Sequence, residues 1–133
     1  MSTIGIVLGS FHKDHVTRML EAARDEAAKR GMTIAEEVWV PGSMEKPLAA
    51  KRLLVRDNID GVVVLGIIER GETKHGMVMG IAATNALIGL QLEFMKPVGM
   101  GILGPEIHPS QIPPRAEPYA RSAVAVIDIM GKS

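Results

Sequence analysis

Residues 70–75, with the sequence RGETKH, combine types that could carry out acid–base chemistry on an anionic ligand. They follow the apolar run of residues 61–68, where a new helix is expected to begin. The free N–H groups of a helix start bind anions such as phosphate, or a chain with many hydroxyls. Gly71 permits close approach, Thr73 adds a hydroxyl donor, and the imidazole of His75 can exchange protons near neutral pH. The same residues also occur at ordinary helix starts, so a purely structural interpretation stays open.

Four short apolar segments predict the strands that position this cluster. They cover residues 4–9, 34–40, 60–66 and 97–103, and the third is apolar throughout, as in a strand covered on both faces. Helical patterns separate them. The first carries an apolar stripe and ends at Gly31, the second follows Pro41 with Ser43 as its cap, the third covers residues 76–94, and the fourth covers about residues 118–130.

This alternation predicts a single α/β domain over residues 1–133, a three-layer α/β/α sandwich around a four-stranded parallel sheet. Ligands of such sheets bind beyond the carboxyl ends of the strands. Each strand is followed there by glycine and polar residues, so the sequence predicts a site at that edge, although glycines are also ordinary turn residues. The proline-rich residues 104–118 are expected to form an ordered loop or a mobile arm.

Composition excludes several classes of function. The 15 basic residues balance the 15 acidic ones, which argues against nucleic acid or an anionic membrane surface as a partner. No cysteine is present, which excludes disulfides and thiolate chemistry. The first residues show no basic segment followed by a long apolar one, and no uninterrupted apolar segment of ~18 residues is found, so we expect a soluble, cytoplasmic protein. No dinucleotide fingerprint, phosphate-binding loop or serine-nucleophile motif occurs. His12 and His15 lack a third ligand, so no metal is assigned.

Two segments, VPGSMEKPLAAKRL and IDGVVVLGIIERGETKH, resemble the signature segments of the lumazine synthase (6,7-dimethyl-8-ribityllumazine synthase) family in its short, archaeal-like form. The resemblance extends over essentially the whole chain. It implies a flavodoxin-like fold and homo-oligomers, either pentamers or 60-mer shells of pentamers, with sites between adjacent subunits. It also implies a cofactor-free transferase of riboflavin biosynthesis. That enzyme condenses 5-amino-6-(D-ribitylamino)uracil with 3,4-dihydroxy-2-butanone 4-phosphate.

The resemblance also implies roles for individual residues. Phe11 would stack on the pyrimidine, Ser43 and Glu45 would bind the ribityl hydroxyls, and the backbones of Ile67 and Ile68 would contact the pyrimidine edge.

At the other end of the site, Gly71, Glu72 and Thr73 would line the phosphate pocket, and His75 would move protons. Arg115 would bind that phosphate from the neighbouring subunit, and Arg121 stands where the family commonly has a lysine.

Three further positions depart from the family pattern. Met44 and Met100 stand where aromatic residues are usual, the second of them supplied across the interface, and His12 replaces an asparagine. A thioether packs on a heterocycle with less geometric control than a ring does. Two alternatives therefore stay open. One is an archaeal-type riboflavin synthase, which the retained RGETKH segment disfavours, and the other is a non-catalytic homologue that binds flavin or lumazine or forms a shell.

Overall fold

The computed structural model describes residues 2–131, in which strands and helices alternate along the chain. The strands are β1 (Thr3–Gly9), β2 (Thr33–Val40), β3 (Gly61–Glu69) and β4 (Val98–Ile107). The helices are α1 (Lys13–Lys29), α2 (Lys46–Leu54), α3 (His75–Phe94) and α4 (Ile112–Met130), and 3-10 turns occupy Ser43–Glu45 and Pro109–Gln111. The strands form one parallel sheet in the order β2-β1-β3-β4, which confirms the predicted α/β fold.

Each face of the sheet carries its own apolar core. In β3, Val63 and Leu65 point toward the core shared with α1 and α4, whereas Val62 and Val64 point toward the core shared with α2 and α3. Alternation along a strand sends successive side chains to opposite faces. A strand buried on both faces must therefore be apolar at every position, and β3 is buried from Gly61 to Ile68.

Helix α4 lies directly on β4, because glycine replaces larger residues along that strand. A Cβ atom at Gly99 would collide with the carbonyl oxygen of Ala123, and one at Gly101 would lie 3.2 Å from the carbonyl oxygen of Tyr119. Only the absence of a side chain permits this approach of helix and strand backbones. The position of α4 on β4 is therefore fixed by two backbone contacts about one helical turn apart.

The predicted start of the fourth helix, near Pro118, is wrong. Helix α4 begins at Ile112, and β4 extends beyond its predicted end to Ile107. Pro113 and Pro114 occupy the first turn of α4, where a backbone N–H has no partner within the helix, so neither interrupts it. The prediction of an ordered loop or a mobile arm over residues 104–118 is also wrong. These residues form the end of β4, a 3-10 turn and the start of α4.

Helix α3 buries one face only. Gly80, Ala83, Leu87 and Leu90 are buried toward β4 and α2, while the apolar side chains of Val78, Ile81, Ile88 and Leu92 are exposed. Among the described residues it is the one helix long and apolar enough to cross a membrane by length and composition, a test that core helices also pass. The exposed apolar face leaves room for contact with another molecule.

Candidate active site

A cavity of about 340 Å³ opens at the carboxyl edge of the sheet, as the strand pattern predicts. The loop after β1, the turn after β2, the end of β3 and the start of α3 meet around it. It is lined by Phe11, Pro41, Gly42, Ser43, Ile67, Ile68, Glu69, Gly71, Thr73, His75, Gly76 and Met79. Of the residues proposed from the sequence, Phe11, Ser43, Ile67, Ile68, Gly71, Thr73 and His75 are thus brought together.

Phe11 forms one wall of the cavity. Its side chain is 58% exposed, so a large part of the ring is available to a planar ligand. The ring meets His12 in an edge-to-face contact, with the centroids 4.5 Å apart and the planes at 74°. Such aromatic pairs restrain the orientation of both rings. Phe11 therefore offers a flat apolar surface whose position is partly fixed.

Thr73 and His75 also line the cavity, at the start of α3. The backbone N–H of His75 donates to Oγ1 of Thr73 over 3.3 Å, so the threonine hydroxyl proton stays available to a ligand. A Cβ atom built on Gly71 would have no neighbour within 4 Å, which leaves open space in front of the helix start. Free N–H groups, a hydroxyl and an imidazole therefore face the same space, an arrangement suited to an anion and a proton transfer.

Glu69 is a lining residue that the sequence interpretation missed. It is the last residue of β3, and its Oε2 lies 3.2 Å from Nε2 of His12, which adopts a left-handed backbone with φ of 56°. The register between β3 and β4 is irregular between Ile67 and Glu69. An acid that ends a continuous apolar strand was a usable sequence signal, because that edge carries the ligand in such folds.

Lys46, the first residue of α2, lies beneath the lining residue Ser43. The side chain is only 1% exposed, and its Nζ donates to Oγ of Ser43 over 3.3 Å. Burial lowers the pKa of Lys46 from 10.5 to about 8. The predicted role of Ser43 as a helix cap is wrong, because Ser43 is itself the first residue of the 3-10 turn and its side chain makes no capping bond. Its hydroxyl binds the lysine instead.

Three further residues proposed from the sequence lie near the cavity but outside its lining. Met44 is 58% exposed, and Glu72 is exposed in the loop before α3. Glu45 lines an adjacent hollow together with Trp39 and Pro41. Their side chains project from the turns that carry Ser43 and Thr73.

Met100, Arg115 and Arg121 are not brought to this cavity within the chain. Met100 lies opposite Val64 in the sheet and packs on the α2 and α3 side, at partial burial. Arg115 is exposed in the first turn of α4, where its Nη1 donates to the carbonyl of Gln111 over 3.2 Å. Its guanidinium keeps further donors for an external anion.

Arg121 links α4 to α1. Its Nη1 donates to Asp25 over 2.8 Å and to Glu26 over 3.3 Å. The hydrogen bond from Arg121 lowers the pKa of Asp25, and the bond to Asp25 raises the pKa of Arg121. Both bonds use Nη1, and they hold the guanidinium beside α1.

Comparison with known proteins agrees with the resemblance seen in the sequence. The profile of the 6,7-dimethyl-8-ribityllumazine synthase family matches residues 2–131. The chain is similar to proteins of that name from Staphylothermus marinus (39% identity over 96% of this chain and 85% of the relative) and Sulfolobus acidocaldarius (40% over 91% and 77%). The relative from Halorubrum lacusprofundi is 37% identical over 97% of this chain and 96% of its own length. The chain therefore belongs to the 6,7-dimethyl-8-ribityllumazine synthase family.

Proposed function

We propose that this protein synthesises 6,7-dimethyl-8-ribityllumazine from 5-amino-6-(D-ribitylamino)uracil and 3,4-dihydroxy-2-butanone 4-phosphate. The observation that carries the proposal is the joint lining of one cavity by Phe11, Ser43, Thr73 and His75. These side chains supply a flat apolar surface, hydroxyls and a proton-transfer group, which are the groups that the two substrates require. Membership of the family and the names of the relatives support the same reaction.

Each part of the cavity suits one part of the substrates. The pyrimidine would pack on Phe11 with its polar edge toward the backbone of Ile67 and Ile68, and the ribityl chain would extend toward Ser43. The phosphate of the butanone would occupy the open space by Gly71, where α3 begins and Thr73 can donate. This placement would bring the amine of the pyrimidine next to the ketone of the butanone. Holding the two groups in that orientation would accelerate their condensation.

His75 would carry the protons in this reaction. The amine attacks the ketone carbon, and loss of water from that adduct leaves a carbon–nitrogen double bond. Removal of a proton from the neighbouring carbon then expels phosphate and forms an enol. An imidazole at the first residue of α3 can accept and return these protons beside the departing anion.

The site would be completed by a second copy of the chain. Arg115 and Met100 lie away from the cavity of their own chain, and α3 exposes apolar side chains to a neighbour. A guanidinium contributed by the adjacent subunit would bind the phosphate through two hydrogen bonds. We therefore propose a homo-oligomer built from pentamers, either free or assembled into a 60-mer. Light scattering on the native protein separates these sizes.

The reaction is tested by giving the purified protein both substrates and following absorbance in the visible band of lumazine. We expect the band to grow only when both substrates and the protein are present. Growth of a flavin spectrum from added lumazine would favour the riboflavin synthase alternative instead. A flat trace, in a sample that still binds the pyrimidine, would favour a non-catalytic homologue.

A further inference from the structure

The buried amine of Lys46 is a feature that the proposed reaction does not use. Its side chain lies between Gly9, the last residue of β1, and Gly66, within β3. A Cβ atom at Gly9 would lie 3.0 Å from Cε of Lys46, and one at Gly66 would lie 2.8 Å from Cε and collide with Nζ. Space for the lysine thus depends on glycine at both positions. Its Nζ reaches the hydroxyl of Ser43, which lines the cavity.

The chemistry of this contact determines what Ser43 can offer a ligand. An ammonium group has three donors and no acceptor, whereas a serine hydroxyl has one donor and two acceptor lone pairs. The oxygen of Ser43 must therefore accept from Lys46, which leaves its own proton for another partner. That bond is charge-assisted, which strengthens the hydroxyl as a donor.

We propose that Lys46 is a positioning residue that makes Ser43 an obligatory hydrogen-bond donor to an oxygen acceptor of the bound ligand. The inference rests on the proposed function, under which that acceptor is a hydroxyl oxygen of the ribityl chain of the pyrimidine substrate. Without the ammonium, Ser43 could rotate and act as donor or acceptor. Lys46 thus selects ligands that place an oxygen lone pair against Ser43.

No protein carboxylate explains the presence of this cation. The ionisable groups on the elements packed against α2 are Glu36 and Glu37 of β2, Glu69 of β3, Glu45 of the 3-10 turn, and His75 and Glu93 of α3. Glu37 pairs with Arg24. Glu36 pairs with Arg56, Glu69 with His12 and Glu93 with Lys51. Within residues 2–131 none of these groups forms an ion pair with Lys46, so the polar contact of its Nζ is the hydroxyl at the cavity wall.

The proposal is tested by a double-mutant cycle on KM for 5-amino-6-(D-ribitylamino)uracil. Lys46→Met keeps the length of the side chain and removes the donors, and Ser43→Ala removes the hydroxyl. Because the two groups act through one bond, we expect each variant to raise KM by about tenfold, and the double variant to raise it no further. Lys51→Met, at an exposed position of the same helix, is the matched control and should leave KM unchanged.

A second measurement follows KM as a function of pH in the parent protein and in Lys46→Met. The pKa of Lys46 is about 8, so KM of the parent should rise as the pH passes from 7 to 9 and the amine loses its charge. The Lys46→Met protein retains His75 and the carboxylates near α2, so any pH dependence that it keeps belongs to those groups. The difference between the two profiles isolates the lysine.

Independent, additive effects of the two substitutions, or KM values equal to that of the parent, would overturn the role of Lys46. If the parent protein nevertheless forms lumazine, the proposed function stands and only the role of Lys46 fails. If instead the parent forms no lumazine, the proposed function fails, and the same cycle is measured on the dissociation constant for the pyrimidine by isothermal titration calorimetry. Coupled losses of binding there would support the role of Lys46 by themselves.

Discussion

Replacing Lys46 by methionine should stabilise the fold, although it removes a hydrogen bond. Burial lowers the pKa of Lys46 from 10.5 to about 8, and each pKa unit corresponds to ~1.36 kcal/mol. Keeping the buried amine charged therefore costs about 3 kcal/mol of folding free energy at pH 7. Loss of the bond to Ser43 removes about 1 kcal/mol of stabilisation. We expect Lys46→Met to raise the free energy of unfolding by about 2 kcal/mol at pH 7.

The sign of the pH dependence follows from the same two pKa values. Below pH 8 both the folded and the unfolded chain hold the proton, so the full cost is present. Between pH 8 and 10.5 the unfolded chain binds more protons than the folded one, so the stability of the parent rises with pH. The advantage of Lys46→Met should therefore shrink through this window.

Urea unfolding at pH 7, 8, 9 and 10, at one fixed protein concentration, measures this difference. Lys51→Met controls for the general effect of removing a lysine, because its side chain is half exposed and pairs with Glu93. Two results would contradict this prediction: a Lys46→Met protein less stable than the parent at pH 7, or a stability difference that does not change with pH. Either would mean that burial of the Lys46 charge does not lower the free energy of unfolding.

Three other predictions concern the cavity and its support. His75→Ala should slow condensation by about 100-fold while leaving the affinity for the pyrimidine nearly unchanged, and steady-state turnover with equilibrium titration measures both. Arg115→Ala should raise KM for the phosphorylated butanone, and subunits of this variant mixed with His75→Ala subunits should regain activity if the site is shared. Gly66→Ala should lower the free energy of unfolding by about 1–3 kcal/mol, because its methyl group meets Lys46, and wild-type stability in urea would contradict this contact.

The parts of the fold that the sequence predicted well are those with strong local patterns. Strand β3 is apolar from Gly61 to Ile68 because both of its faces are buried there, and α1 ends at Lys29, just before Gly31 with its φ of +70°. The site followed from topology, since the carboxyl ends of parallel strands must share an edge and the unusual polar residues follow those ends. Phe11 and His75 meet around one cavity for that reason.

The burial of Lys46 and the start of α4 could not be predicted, because the sequence around each is compatible with more than one structure. Lys46 stands between a glutamate and a proline at the start of a helix, a context that is typical of an exposed lysine. Its burial depends on Gly9 and Gly66, which are distant in sequence. The start of α4 was misplaced because prolines that end one element also suit the first turn of another.

The contact between Gly99 and Ala123 couples a remote strand position to the reach of Arg115. Helix α4 rests on β4 through main-chain atoms at that point and is held to α1 by Arg121. A methyl group added at position 99 would push α4 away from β4. Arg115, in the first turn of α4, would be displaced with the helix. Under the proposed sharing of the site between copies, one added carbon atom at position 99 would therefore change the affinity of a neighbouring copy for the phosphorylated substrate without touching it.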